Sequence, residues 1–111
     1  MQPGSVRERD RTLKTALHYC AEAPAAAAAQ VAELLLAAAP DLLDAKDEDG
    51  YTPLHLAVIA GSRALIKLLL AKGANANSLD NEKHSVVHWA TGINLPATYI
   101  DYIDAFSLSK I

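Results

Sequence analysis

Asp47-Glu48-Asp49-Gly50-Tyr51-Thr52-Pro53-Leu54-His55-Leu56-Ala57 decides how this chain folds. Asp49-Gly50 signals a tight turn, because glycine takes a positive φ without steric cost. Thr52 follows as a cap, since its hydroxyl oxygen can accept a hydrogen bond from the free N–H groups of a first helical turn. Pro53 suits the first helical position, where no N–H is needed and φ is already helical. Leu54 and Ala57 lie three residues apart and share one helix face. The stretch reads as turn, cap, helix.

The same order occurs twice more. Thr15-Ala16-Leu17-His18 and Ser85-Val86-Val87-His88 each give a hydroxyl residue, an aliphatic residue two positions later, then histidine. Thr52 and Ser85 stand 33 residues apart, and Thr15 and Thr52 stand 37 apart. A second word, Leu34-Leu35-Leu36, returns as Leu68-Leu69-Leu70. Two words recurring in one order at this period resemble the ankyrin repeat, and Gly50 to Ala57 spell its signature, Gly-x-Thr-Pro-Leu-His-x-Ala. The resemblance covers Thr12 to Thr91 well and the remainder poorly. It implies an all-α solenoid of about three stacked helix-turn-helix units, joined by short β-hairpin or turn connections. The extra residues of the first repeat are expected in loops.

Size and composition fit one domain. The chain has 111 residues, half of them hydrophobic, which is globular rather than disordered. Much of that half is alanine, so cores should be thin and helices close. A net charge of −3 argues against a nucleic-acid partner, which wants a clustered basic patch. Cys20 is the sole cysteine, so no internal disulfide can form and a reducing compartment fits. Residues 1–10 lack the apolar segment of a signal peptide, and no apolar run approaches the ~20 residues of a membrane span. The expected setting is the cytoplasm or nucleus, with no membrane partner.

The expected boundaries are a polar tail over residues 1–11, repeat one over 12–46, repeat two over 47–79, repeat three over 80–106 and a C-terminal tail over 107–111. In repeat one, Pro24 should open a second helix whose apolar stripe is Val31, Leu34, Leu35 and Ala38, spaced i, i+3, i+4, i+7. Pro40 should stop it. In repeat two, Gly61 separates the helices, Arg63 and Lys67 form the wet face of the second, and Lys72-Gly73 reads as its end. In repeat three, Lys83 stands where Gly50 stood. A lysine at positive φ costs energy, so this turn is expected to be shaped differently. From Pro96 the pattern Tyr99, Ile103, Phe106 predicts a divergent second helix.

Catalytic chemistry finds little support. His18, His55 and His88 follow the repeat, so stacked layers about 10 Å apart would keep them from sharing one ion. The resemblance implies instead that each bonds locally and stitches neighbouring repeats. His84 and His88 have i, i+4 spacing, but Ser85 as cap leaves His84 outside the helix, and the zinc-protease glutamate is missing. Cys20 reads as a buried structural thiol. Asp47-Glu48-Asp49-Gly50 lacks the calcium-loop pattern. No enzyme activity, metal or cofactor is expected.

What remains is surface, and the resemblance implies a protein–protein interaction module with a concave face of turn tips and inner helices. Carried onto this chain, its partner-binding positions are Glu48, Asp49, Tyr51, Ile59 and Lys72 in repeat two, and Asn81, Glu82 and His84 in repeat three, with Leu79 nearby. Tyr51 could serve as an interface anchor or pack within the turn. The alternative is a terminal piece of a larger ankyrin array, acting as a structural scaffold or self-association piece. The chain is expected to be monomeric, with Tyr99, Tyr102 and Phe106 offering a self-association surface.

Overall fold

The computed structural model describes residues 8–86, 88 and 89. Two helix pairs stack side by side. Repeat one pairs α1 (Ala16–Tyr19), continued by a 3-10 turn over Cys20–Glu22, with α2 (Ala25–Ala38). Repeat two pairs α3 (Pro53–Ala60) with α4 (Arg63–Ala71). The inner helices α1 and α3 pack together, and so do the outer helices α2 and α4. Val86, His88 and Trp89 are helical and open a third inner helix. Among the described residues there is no strand, so the connections are turns rather than β-hairpins. The helix predicted from Pro96, with Tyr99, Ile103 and Phe106, lies outside the described residues.

The helices start and stop where local chemistry requires. Thr15 and Thr52 cap α1 and α3, each accepting the N–H of the histidine three residues on. Pro40 opens a 3-10 turn over Pro40–Asp44, after α2 has ended at Ala38. At Gly73, φ is +96°, and the N–H groups of Gly73 and Ala74 return to the carbonyls of Leu70 and Leu69. That left-handed stop satisfies two otherwise orphaned carbonyls. The core runs through the layers as Leu17, Leu54, Leu65, Ile66, Leu69 and Leu70, all fully buried. Each such aliphatic side chain stabilises the fold by about 1.5–3 kcal/mol relative to exposure.

Three expectations need correction or refinement. The first concerns α2. Its buried positions are Ala28, Ala32 and Leu36, followed by the capping Ala39, with Leu35 partly covered. Val31, Leu34 and Ala38 are exposed, so the predicted stripe lies on the wrong side. Alanines face the neighbouring helix because a short side chain lets two backbones approach closely. The second concerns length. α2 has 14 residues against 9 in α4, so much of the extra length of repeat one extends its outer helix rather than a loop.

The third concerns the turns. Lys83 has φ +68° and Leu13 has φ +65°, close to the +82° of Gly50. Repeat three therefore builds the same turn as repeat two and tolerates the strain. At Gly50 a substitution would meet more than strain, because a Cβ there would lie 2.5 Å from Asn81 Oδ1 and 2.7 Å from the Asn81 backbone nitrogen.

These observations separate the three positions. Lys83→Gly and Leu13→Gly should each raise unfolding free energy by about 0.5–1 kcal/mol, the left-handed penalty less the entropy glycine adds to the unfolded chain. Gly50→Ala should lower it by about 2 kcal/mol or more, from backbone strain plus overpacking. Urea titrations of the three variants check both signs.

Candidate functional site

Each repeat presents a turn built on one aspartate. Asp10 Oδ1 accepts the N–H groups of Thr12 and Lys14 at 2.9 and 3.0 Å. Asp47 Oδ1 accepts those of Asp49 and Tyr51, both at 2.9 Å. Asp80 Oδ1 accepts those of Glu82 and His84 at 2.9 and 2.8 Å. In each turn the aspartate N–H also bonds the carbonyl four residues on. These side chains hold the loop regardless of which residue occupies the left-handed position. The sequence marks Asp47 as turn chemistry, but its recurrence as Asp10 and Asp80 was missed, although their spacings of 37 and 33 match those of the capping residues.

The turns are tied to one another. The Glu48 N–H bonds the Thr12 carbonyl at 2.9 Å, and the Asn81 N–H bonds the Asp49 carbonyl at 2.9 Å. Asn81 Nδ2 donates to the Glu48 carbonyl at 2.8 Å, and Lys14 Nζ pairs with Asp47 Oδ2 at 3.2 Å. Asp80 Oδ2 accepts Trp89 Nε1 at 3.0 Å and lies 3.3 Å from His84 Nδ1. Burial alone would raise the Asp80 pKa, but the His84 N–H, Trp89 and Glu82 donors hold it below the usual carboxylate value.

Histidines join the layers. His18 Nε2 bonds the Tyr51 carbonyl at 2.8 Å, and His55 Nε2 bonds the His84 carbonyl at 3.0 Å. Their Nδ1 atoms accept the Thr15 and Thr52 N–H groups at 3.1 and 3.4 Å. Each imidazole thus spans its own cap and the turn of the next repeat. In both, burial lowers the pKa below the ordinary histidine value, and the carbonyl bond offsets only part of that. His88 keeps the cap bond, its N–H donating to Ser85 Oγ at 3.3 Å, while its exposed ring stands 4.8 Å from that of His84.

The predicted contact residues fall into three places. Glu48, Asp49, Asn81 and Glu82 gather at the exposed turn tips, with the Asn81 amide committed to the stack. Tyr51 and His84 lie half-buried behind them. The Tyr51 ring packs against His55 and edge-on against Trp89, 6.0 Å between centroids, which favours its packing role. Ile59 belongs to the inner helices, where Lys14, His18, Ala21, Glu22, Leu56, Ile59 and Ala60 line a recess of about 210 Å³. Lys72 stands apart, in the outer-helix layer beside Glu33. Leu79 is exposed and lines a polar recess with Lys46, Asn75 and Ser78.

Two helix pairs joined through equivalent histidines are one unit repeated. A family model of ankyrin repeats, spanning three copies, matches residues 17–95. This chain belongs to the ankyrin-repeat family. It is similar to an ankyrin repeat protein of Neisseria meningitidis serogroup B, 42% identical over 50 residues, which cover 45% of this chain and 20% of that protein. It is also similar to neurogenic locus notch homolog protein 1 of Mus musculus, 35% identical over 86 residues, 78% of this chain and 3% of that one. The delta-latroinsectotoxin of Latrodectus tredecimguttatus is 44% identical over 36 residues, 32% of this chain and 3% of the toxin. The ankyrin chain thus spans a fifth or less of the length of these relatives.

Among the described residues, no three His, Cys, Asp or Glu side chains are grouped to hold a metal ion, and no helix is long and apolar enough to cross a membrane. Cys20 is 4% exposed, and burial pushes its thiol pKa up, away from nucleophilic chemistry.

The histidine bridges make stability depend on pH. Unfolded histidine titrates near pH 6.5, and His18 and His55 titrate lower when folded. Above about 6.5 both states hold these rings neutral, and the bridges contribute fully. As pH falls through that value the unfolded chain takes up protons first, so stability falls. Urea titrations at pH 7.5 and pH 5 should show this loss, and His18→Gln/His55→Gln should flatten it. His55→Ala should cost about 2–4 kcal/mol at pH 7.5, through the Thr52 N–H left unpaired, the lost bond to the His84 carbonyl and the cavity.

Proposed function

We propose that this chain binds a partner polypeptide across its turn tips and inner helices. Ankyrin repeats are generally protein–protein interaction modules. The supporting observation is the recess of about 210 Å³ lined by Leu56, Ile59, Ala60 and Ala21, with Lys14 before the first inner helix and Glu22 at the end of its 3-10 extension. An aliphatic or aromatic side chain of the partner would fill it, since small apolar pockets supply most of the energy in such contacts. The exposed Glu48, Asp49 and Glu82 at the tips would select a segment carrying basic residues, mainly through encounter rate and register. Tyr51 contributes by holding the turn against His55 and Trp89. Binding, rather than catalysis, is the role this surface suits, and cytoplasm or nucleus is the setting that fits a lone buried thiol.

A second reading, a scaffold or self-associating piece within a larger ankyrin assembly, is favoured by one observation, the exposed apolar side of α2.

The first reading is tested by cross-linked pull-down with quantitative mass spectrometry. Ile59→Glu should reduce recovery of the authentic partner at least tenfold, and Glu48→Lys/Glu82→Lys should reduce it in a salt-dependent way. Lys72→Ala, in the outer layer, should leave it unchanged. A partner retained equally by all three variants contradicts the assignment.

A further inference from the structure

Repeat three sets two imidazoles side by side, and the other repeats do not. Counted from the turn aspartates, His84 stands where Lys14 and Tyr51 stand, and His88 stands where His18 and His55 stand. His18 and His55 are buried, each ring committed to its own cap and to the next turn. The His88 ring is exposed and makes neither bond among the described residues. It lies instead against the His84 ring, 4.8 Å between centroids, although Ser85 caps the helix between the two.

His84 is held firmly. Its N–H donates to Asp80 Oδ1 at 2.8 Å, and its carbonyl accepts from His55 Nε2 at 3.0 Å. Its ring stands edge-on to Trp89, with centroids 5.3 Å apart. Its Nδ1 is buried and lies 3.3 Å from Asp80 Oδ2. A bare lone pair there would face a carboxylate, so the neutral ring carries its proton on Nδ1 and keeps the Nε2 lone pair free. A carboxylate behind one nitrogen and a lone pair on the other is the arrangement that orients a metal-binding histidine.

We propose that His84 Nε2 and a ring nitrogen of His88 chelate one divalent transition-metal ion, Cu(II) most tightly and Zn(II) less so. Imidazole nitrogen suits these ions, and Cu(II) heads the affinity order for such ligands. Mg(II) and Ca(II) want oxygen ligands and are not taken. Two protein ligands leave the remaining positions to water, so the ion is exchangeable rather than structural. Asp80 is the positioning residue. Its Oδ2 also accepts Trp89 Nε1, which couples the only tryptophan of the chain to the site. The inner-helix recess takes no part, so this site stands independently of the proposed partner site.

Titration with copper(II) sulfate at pH 7.5 in a non-coordinating buffer tests it, read by tryptophan fluorescence and by electron paramagnetic resonance. The wild-type chain should show quenching that saturates at one ion per chain, with hyperfine coupling to two imidazole nitrogens. Zinc(II) should reverse the quenching in excess, and magnesium(II) should not. His88→Gln should raise the dissociation constant at least tenfold with unchanged circular dichroism, since its ring is in solvent. Asp80→Asn keeps an oxygen for the turn N–H groups and should weaken binding by about 10–100-fold. A wild-type chain that several equivalents leave unquenched overturns the proposal. So does a His84→Gln/His88→Gln chain quenched like the wild type. Wild-type affinity in Asp80→Asn overturns the positioning role.

Discussion

An imidazole can bridge two repeats only in one protonation state, and the stack of this chain depends on that state. A backbone N–H can only donate and a carbonyl can only accept. Thr52 N–H points at Nδ1 of His55, and the His84 carbonyl accepts from Nε2. The proton must therefore sit on Nε2, with Nδ1 bare. His18 is placed identically between Thr15 and Tyr51. A proton on Nδ1 would set two donors against each other in a buried site, which is the structural reason that charging these rings is disfavoured. The cap of one helix and the turn of the next are thus fixed by a single side chain.

The aspartate turns complete the coupling. Asp47 and Asp80 are almost fully buried, at 5% and 4% exposure, yet each has its carboxylate occupied by backbone donors and by a cation or indole. A buried carboxylate without such partners would cost several kcal/mol. With them, Asp80 dictates its loop so firmly that Lys83 adopts a backbone conformation suited to glycine. The exposed tips, with Glu48, Asp49 and Glu82, are then displayed on a rigid frame. That rigidity is what an interaction surface needs, because little ordering entropy remains to be lost on binding.

Much of this was legible in the sequence. Thr52, Pro53 and His55 report their own roles, since capping, initiation and bridging each demand a particular residue type, and recurrence near 33 residues then gives the layers. The buried side of α2 was not legible. Its sequence is alanine and leucine on nearly every side, so no polar residue marks the wet face, and the large side chains Val31 and Leu34 proved to be outside. The turn at Lys83 was misread because the residue with the strain was weighed without Asp80, which supplies the compensation. Among the candidate contacts, Ile59 lies near the end of a short inner helix and lines the recess there. Lys72 was carried over to the concave side although the outer helix ends there. Cys20, read as a buried structural thiol, is buried, as is Ala57 at the matching place in repeat two.

The most direct measurement of this account is the tautomer of His55 and His18, read from two-bond nitrogen–proton correlations in a uniformly ¹⁵N-labelled chain at pH 7.5. The account predicts neutral rings protonated at Nε2 for both, with Nδ1 shifts typical of an unprotonated, hydrogen-bonded nitrogen. Rings protonated at Nδ1, or averaging between tautomers as in solvent, would contradict it.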